Sequence, residues 1–216
     1  ATYIPPSPHH LMGLMKDLEN FMESKDKLQP LLKIALIHAQ FESIHPYLDG
    51  NGRMGRLLIT YYLCWKGLLS RPILFLSVYL KKNRQEYYEL LNNIRITGNW
   101  EAWIEFFLKG IVEVSNDSME TAKSIIELRE NLTEKLLDKQ VKSTLLPKLV
   151  RILFDRPFIS VGKVSELLGV SRQTANKIVG YLEEDGTLVE VTGKKSHKRY
   201  MFAEFVEIIR EGTQLY

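Results

Sequence analysis

Between residues 11 and 142, apolar side chains recur at helical spacing, and this pattern constrains the fold more than any other feature. Leu11, Leu14, Met15 and Leu18 fall three or four residues apart, on one face of an α-helix. No stretch of alternating apolar and polar residues, which would indicate a β-strand, interrupts this part of the chain. The spacing therefore predicts an all-helical first domain, with helices over residues 11–21, 30–44, 54–66, 77–96, 100–113 and 117–142.

Beyond residue 144 the elements become shorter, which predicts a second, smaller domain. In chain order, the pattern predicts three helices and the two strands of a hairpin: 149–154, 161–168, 171–184, 188–191 and 200–202. We therefore expect a boundary near Leu145, with a domain of residues 1–144 followed by one of residues 145–216. Short helices followed by a hairpin are typical of a winged helix-turn-helix, a small α+β fold.

Composition excludes several classes of protein. Apolar residues make up 45% and charged residues 25%, as in globular proteins that bury a core. No run approaches the roughly 18 to 20 apolar residues that cross a bilayer, and the N-terminus lacks the basic and apolar regions of a signal peptide. The single cysteine, Cys64, fits a reducing compartment. We therefore expect a cytoplasmic protein with no membrane partner. The net charge of +3 does not by itself indicate a polyanionic partner.

The stretch from His45 to Arg56 carries residue types suited to binding phosphates. Gly50 and Gly52 permit positive φ at the start of an apolar helix, where free N–H groups and the helix dipole attract anions. Arg53 and Arg56 share a face of that first turn, where the dipole disfavours each cation by about 0.3–1 kcal/mol. A bound polyanion explains both arginines, and phosphate fits best because its oxygens match the guanidinium fork.

Three further residues of this loop add the chemistry of group transfer. Asp49 would be repelled by phosphates unless a hard cation lay between them, which points to Mg²⁺. Asn51 offers amide donors to a phosphate oxygen. Pro46 pushes His45 out of the helical region, and a histidine, whose ordinary pKa lies near neutrality, can accept a proton from an attacking hydroxyl. The set predicts in-line attack on a magnesium-bound phosphate. A purely structural turn is disfavoured because all these residue types fall within 12 residues.

This loop closely resembles the motif of the Fic family, His-Pro-Phe-x-Asp/Glu-Gly-Asn-Gly-Arg-x-x-Arg. The chain has His45-Pro46-Tyr47-Leu48-Asp49-Gly50-Asn51-Gly52-Arg53-Met54-Gly55-Arg56, with tyrosine where phenylalanine is usual. The resemblance extends to residues 1–8, 72–88 and 98–110 and to the C-terminal tail. It implies a mainly helical, all-α Fic fold with a remnant of the family's flap, followed by a small winged-helix α+β domain.

The resemblance implies a protein adenylyltransferase, which transfers AMP from ATP to a serine, threonine or tyrosine hydroxyl of a target protein and releases pyrophosphate. It implies His45 as the general base and Asp49 as the ligand of the Mg²⁺ that bridges the α- and β-phosphates. The implied nucleotide contacts are Gly50, Asn51 and Gly52 at the α-phosphate, Arg53 and Arg56 at the β- and γ-phosphates, and Tyr87 near the adenosine.

Two departures from the family concern target docking and regulation. The chain begins inside the flap, so Thr2 and Tyr3 remain to pair with an extended stretch of the target by strand addition. Many relatives are restrained by a helix with Ser/Thr-x-x-x-Glu-Gly/Asn. Here Thr97 and Glu101 have the spacing, but an alanine follows. We therefore expect an inhibitory helix upstream of residue 1 or in a partner protein.

For several other candidate site residues, packing in the core is a competing interpretation. His38, Glu42 and His45 fall near one helical face and suggest a zinc site, but their spacing is not that of the zincin motif, and we expect His38 to pack in the core. Of Tyr87 and Tyr88, we expect one to pack and one to line the nucleotide pocket. Core packing is also expected for an aromatic stripe at helical spacing: Trp100, Trp103, Phe106 and Phe107.

The C-terminal tail offers candidate contacts to nucleic acid. Ser171 is a natural N-cap for the predicted recognition helix, and basic residues cluster in the hairpin that follows. The candidate contacts are Arg172, Gln173, Thr174, Asn176 and Lys177 on the helix, and Lys194, Lys195, Lys198 and Arg199 in the hairpin. Protein contacts or a homodimer are equally compatible with this module. Three hypotheses stay open beside AMP transfer: a DNA-binding regulator with a Fic sensor, transfer of another phosphate-containing group, and removal of AMP.

Overall fold

The computed structural model describes residues 3–71, 75–138 and 144–211. Within these ranges, the chain forms two compact units, and the first contains no described β-strand. Its helices are α1 (Pro8–Glu23), α2 (Pro30–Ile44), α3 (Asn51–Trp65), α4 (Leu76–Lys82), α5 (Arg84–Thr97) and the first part of α6 (Trp100–Asp138). The predicted helical architecture is confirmed for these residues. None of the described helices combines the length and apolarity needed to cross a membrane.

The predicted division into helices differs from the structure at two places in the second half of the first unit and in α6. The single helix expected over 77–96 breaks at Asn83, whose side-chain amide donates to the Tyr79 carbonyl oxygen at 3.1 Å. Side chains of this type compete with the backbone for hydrogen bonds, which explains the break. The helices expected at 100–113 and 117–142 instead form one continuous helix, because neither proline nor glycine separates them. Residues 139–142 of that prediction lie outside the described residues.

Helix α2 lies in the core of the first unit. Ile34, Ala35 and Ile37 are each 0% exposed, as expected for a helix that is apolar on nearly every side. Trp103 of α6 is also 0% exposed, and its indole N–H donates to the Ala35 carbonyl oxygen at 2.9 Å. The predicted packing of the aromatic stripe is confirmed: Trp103, Phe106 and Phe107 are buried, and Trp100 is partly buried against them.

The second unit packs helices against a three-stranded antiparallel sheet of order β1–β3–β2, in which Leu188 lies opposite Phe202. Its elements are α7 (Leu145–Asp155), β1 (Phe158–Ile159), α8 (Val161–Leu168), α9 (Arg172–Glu184), β2 (Leu188–Glu190), β3 (Tyr200–Phe202) and α10 (Ala203–Glu211). The N-cap role of Ser171 is confirmed, since its hydroxyl accepts the Thr174 N–H at 3.1 Å. The predicted helices and hairpin are present, whereas β1 and α10 were not predicted. The winged-helix assignment stays a prediction.

The division between the compact units falls inside α6, between Ser118 and Met119. Leu128 and Leu132, beyond this point of α6, are buried in the core of the second unit together with Leu149. Part of the long helix therefore contributes to the second core, which sequence periodicity alone does not reveal. The domain ranges 1–144 and 145–216 stay predictions.

Candidate active site

His45 follows the last residue of α2 in an unusual backbone conformation. Its φ of 50° and ψ of 58° lie in the left-handed region, which residues other than glycine seldom adopt. Pro46 follows, and a proline disfavours the right-handed helical region for the residue before it. The backbone N–H of His45 still donates to the Phe41 carbonyl oxygen at 2.9 Å. The predicted departure of His45 from the helix is therefore confirmed, and His45 borders a pocket.

Two side chains from other segments satisfy the last carbonyl groups of α2. Arg95 of α5 donates through Nη2 to the Glu42 carbonyl oxygen at 3.2 Å and through Nε to Ser43 Oγ at 3.1 Å. The Tyr3 hydroxyl donates to the Ser43 carbonyl oxygen, and the guanidinium carbon of Arg95 lies 3.6 Å from the centre of the Tyr3 ring. Because carbonyls at a helix end otherwise lack partners, these contacts fix the end of α2 directly before His45.

Arg95 could not be predicted as a site residue from the sequence, because its hydrogen-bond partners lie 52 and 53 positions away along the chain. Tyr3 makes these contacts within the chain. Its predicted role, to pair with an extended strand of a target protein, stays a prediction. Thr2, the other predicted docking residue, lies outside the described residues.

Asn51 closes the loop that follows His45. The residue is 3% exposed, its side-chain oxygen accepts the Tyr47 N–H at 2.9 Å, and its amide donates to the Tyr47 carbonyl oxygen at 2.6 Å. These bonds hold the turn together, and α3 begins at Asn51 rather than at the predicted Met54. One N–H of the amide is thus used within the loop. The predicted contact of Asn51 with phosphate stays a prediction.

The start of α3 presents backbone N–H groups that no side chain caps. Gly50 precedes the helix with a φ of 84°, a left-handed conformation suited to glycine. At Gly52, a Cβ atom would lie 3.0 Å from Nη1 of Arg56, so the lack of a side chain lets that guanidinium lie along the first turn. An uncapped helix N-terminus carries the positive end of the helix dipole, and such a position binds anions.

The two arginines of this turn differ in exposure. The Arg53 side chain is 76% exposed, and its Nη2 lies 3.3 Å from Oδ2 of Asp49, which is 93% exposed. Ion pairs between exposed groups contribute only about 0–1 kcal/mol, so both groups can exchange this contact for a ligand at little cost. Arg56 is half-buried and borders a pocket. The Arg53 guanidinium therefore faces solvent, and Arg56 borders a pocket.

Two pockets of the first unit share a wall at Tyr88. The first pocket, of about 260 Å³, contains His45 and is lined by Tyr3, Pro5, Glu42, His45, Tyr88, Leu91, Asn92 and Arg95. The second pocket, of about 250 Å³, contains Arg56 and is lined by Arg56, Ser77, Leu80, Lys81, Arg84, Tyr87 and Tyr88. The predicted base and one predicted phosphate-binding arginine thus face adjoining cavities.

His38 and Tyr87 form a buried polar pair, and Tyr87 lines the second pocket. His38 is 0% exposed, as expected of a core residue, and its Nε2 lies 3.0 Å from the Tyr87 hydroxyl. Burial lowers the pKa of His38 to about 4, so its ring is neutral at neutral pH, and burial raises the pKa of Tyr87. Tyr87 is 4% exposed and still contributes to the second pocket. Its predicted place near the adenosine stays a prediction.

The structure gives no support to the zinc site considered for His38, Glu42 and His45. Over residues 3–71, 75–138 and 144–211, no three His, Cys, Asp or Glu side chains are grouped so that they could hold a metal ion. Asp49 suits a metal site shared with a bound molecule, because its carboxylate is highly exposed. Its Oδ1 accepts the Gly50 N–H at 2.7 Å, and its Oδ2 forms only a weak ion pair with Arg53.

Six of the predicted nucleic-acid contacts of the second unit line a third pocket, of about 660 Å³. Residues from the start of α9 form one side, and residues of the hairpin form the other: Arg172, Gln173 and Asn176, and Lys195, Lys198 and Arg199. Thr174 instead bonds the N-cap, with its hydroxyl 2.9 Å from Ser171 Oγ. The remaining predicted contacts, Thr174, Lys177 and Lys194, are not among the lining residues of this pocket.

Comparison with known proteins identifies a family and several proteins to which this chain is similar. Residues 1–63, which include the whole His45–Arg56 loop, match the model of the Fic/DOC family. The chain is 33% identical over 91 residues to a probable protein adenylyltransferase from Aquifex aeolicus, covering 42% of this chain and 26% of that protein. It is 32% identical over 140 residues to the protein adenylyltransferase Fic of Nematostella vectensis, covering 64% of this chain and 31% of that protein.

The chain thus spans less than a third of the length of these two curated relatives. Among solved structures, it is similar to a Fic family protein from Desulfovibrio desulfuricans G20, with 24% identity and a TM-score of 0.48. That alignment covers 93% of this chain and 57% of the solved one.

Proposed function

We propose, on the premise that residues 1–63 carry a Fic/DOC family domain, that this chain transfers AMP from ATP to a serine, threonine or tyrosine hydroxyl of a target protein. One observation carries the proposal. His45 borders a pocket at the end of α2, and the loop after it leads directly into the uncapped, arginine-bearing start of α3. A proton acceptor and an anion site thus follow one another within 12 residues.

In the proposed reaction, His45 accepts the proton of the target hydroxyl as the hydroxyl oxygen bonds to the α-phosphorus. The bond from that phosphorus to the β-phosphate oxygen breaks, and pyrophosphate leaves. General-base catalysis of this kind contributes about 10²–10⁴-fold to the rate. The backbone of Gly50 and Gly52, with Asn51, would orient the α-phosphate, while Arg53 and Arg56 would bind the β- and γ-phosphates.

Magnesium fits this site as an ion shared between protein and nucleotide. Asp49 would hold it together with phosphate oxygens, which is how Mg²⁺ usually binds to nucleotides. The ion would neutralise phosphate charge that the Asp49 carboxylate would otherwise repel.

The transferred group is tested by incubating the chain, with magnesium, with candidate target proteins and ATP labelled at either the α- or the γ-phosphate. We expect protein-bound label from α-labelled ATP only, and a mass increase equal to one AMP by intact-mass analysis, on a target or on the chain itself. Label from the γ-phosphate alone would instead show phosphotransfer. Loss of AMP from a previously modified target, with no label gained, would show the reverse reaction.

A second candidate function, nucleic-acid binding by the second unit, is supported by the pocket between α9 and the hairpin. Arg172, Lys195, Lys198 and Arg199 line it, and none of them forms an ion pair within 4.0 Å among the residues that the structure describes. Four cations around one cleft form a surface suited to a phosphate backbone. Target modification and nucleic-acid binding are compatible, since they use different units.

Fluorescence anisotropy with labelled double-stranded DNA, at several salt concentrations, tests this second function. Replacing Lys194, Lys195, Lys198 and Arg199 by alanine is expected to weaken binding at least about tenfold and to reduce the salt dependence. Replacing the exposed Lys148, Arg151 and Arg156 of the same unit is the control, with little change expected. DNA binding retained in the hairpin variant would count against nucleic-acid binding by this surface. If the unmodified chain bound no DNA but associated with itself, a protein interface would be favoured.

A further inference from the structure

The solvent side of α3 is apolar along its whole length. The exposed residues of this helix are Arg53, Met54, Leu57, Tyr61 and Trp65. All but the arginine are large and apolar, and Leu57 and Tyr61 are each 59% exposed. The outward side of a surface helix is normally polar, so an apolar side of this length is suited to contact with another molecule.

The opposite side of α3 already serves the core of the first unit. Gly55, Ile59, Tyr62 and Leu63 are buried. Arg56, which borders the second pocket, also lies away from the exposed apolar residues, because 3.6 residues complete a helical turn. The exposed apolar side is therefore separate both from the core and from the proposed phosphate contact of Arg56.

The spacing of the exposed apolar residues indicates what kind of molecule would cover them. Positions 54, 57, 61, 64 and 68 are apolar, at intervals of three, four, three and four residues. This is the spacing of the a and d positions of a heptad repeat, with which one helix packs along another. We call the whole set the α3 face: Met54, Leu57, Tyr61, Cys64, Trp65 and Leu68. Its pattern favours a helix as the occupant.

The α3 face is large for an apolar surface in contact with solvent. Met54, Trp65 and Leu68 are between 42% and 49% exposed. With Leu57 and Tyr61 they expose roughly 500 Å², a patch of the size that often marks an interaction site on a monomeric protein. This area is more than half of the roughly 800 Å² that each partner buries in a standard protein interface.

The chain around the α3 face is basic. Residues 50–85 include seven lysines and arginines and no aspartate or glutamate. Lys66 is exposed beside the face, and its Nζ lies 3.9 Å from the centre of the Trp65 ring. A second copy of α3 would place two such basic segments against each other, and facing like charges oppose association. Acidic residues on a different partner would instead be attracted.

We propose that the α3 face docks an amphipathic helix of another protein, with an apolar seam that packs along α3 and acidic residues beside the seam. The acidic residues face Lys66 and the neighbouring cations. Tyr61 and Trp65 contribute most to binding, because large aromatic side chains commonly dominate protein interfaces. The inference goes beyond the proposed AMP transfer and does not rest on it, since no residue of the α3 face is a proposed contact of the nucleotide or of the target hydroxyl.

The probe for this surface is a dye-labelled synthetic peptide of three heptads, with leucine at positions a and d and glutamate at e and g. The glutamates also oppose pairing of the peptide with itself. A matched peptide has lysine at e and g. By fluorescence anisotropy at low salt, we expect the glutamate peptide to bind the unmodified chain at least about tenfold more tightly than the lysine peptide. Added salt should reduce this difference, and Lys66→Gln should make it smaller.

Variants of the α3 face test where the peptide binds. The double variant Leu57→Gln with Tyr61→Gln, and separately Trp65→Gln, should weaken binding of the glutamate peptide at least about tenfold. The midpoint of urea denaturation and the rate of AMP transfer should stay unchanged in the double variant, because both side chains are more than half exposed. The matched control, Met12→Gln with Ile96→Gln, removes two exposed apolar side chains from α1 and α5 and should leave peptide binding unchanged.

Three results with the peptides would overturn the inference: no binding of the glutamate peptide, equal binding of both peptides, or binding that survives in the double variant and in Trp65→Gln. Sedimentation of the unmodified chain without peptide should show no self-association through this face. Self-association abolished by the double variant would show that a second copy covers the face instead. Flotation with vesicles of phosphatidylserine and phosphatidylcholine should show no binding. Vesicle binding abolished by the double variant would assign the face to a lipid surface and overturn the inference.

Discussion

Replacing His45 by alanine is expected to reduce AMP transfer by about 10²–10⁴-fold, with nucleotide binding changed by less than about threefold. The imidazole is the group that would accept the hydroxyl proton, whereas the proposed phosphate contacts lie in the loop and in α3. Transfer is measured with α-labelled ATP, and nucleotide binding by equilibrium titration with magnesium.

The matched control is His10→Ala, which removes an exposed imidazole from α1 and should leave transfer unchanged. Equal labelling by the unmodified chain and by His45→Ala would remove His45 as the base. A loss of nucleotide binding as large as the loss of transfer would also contradict the assigned role, because His45 would then act by holding the nucleotide.

Replacing Gly55 by alanine is expected to destabilise the first unit by about 1–3 kcal/mol. The added methyl group would lie 2.5 Å from Oε1 of Glu42 and 3.0 Å from Cε1 of His38, and both side chains are buried. These groups sit between α2 and α3 and have little space in which to move. The free energy of unfolding is measured by urea denaturation, and AMP transfer should fall in parallel, because the start of α3 would shift.

Gly13→Ala is the matched control for this prediction. Gly13 lies within α1, and no atom lies within 4 Å of the position that its Cβ would take. Alanine there is expected to stabilise the helix by about 0.5–1 kcal/mol, because glycine loses more backbone freedom on folding. If Gly55→Ala were as stable as Gly13→Ala, the close packing of Glu42 and His38 against α3 would be wrong.

Local features of the first unit could be predicted from the sequence because they depend on neighbouring residues. The apolar spacing predicts α1 and α2, and the proline after His45 predicts that His45 leaves the right-handed helical region, although not that it becomes left-handed. The start of α3 was placed too late, because the bonds of Asn51 to Tyr47 and the left-handed Gly50 begin the helix earlier than its apolar pattern.

Features that depend on distant residues could not be predicted in the same way. The contacts of Arg95 with the end of α2 and with Tyr3 join segments far apart in the chain, and no spacing rule relates them. The strand β1 has two residues, too few for an alternating pattern, and forms because β3 supplies its partner. The closeness of Glu42 to Gly55 likewise arises only when α2 packs against α3.

The left-handed backbone of His45 has a consequence for the evolution and engineering of this chain. A glycine or asparagine would adopt that conformation at lower energy than histidine does. Selection for stability alone would therefore favour replacement of His45. A screen for heat resistance that ignores turnover should therefore enrich inactive molecules at position 45. Improvements that preserve chemistry have to be sought elsewhere, in helices whose residues serve folding alone.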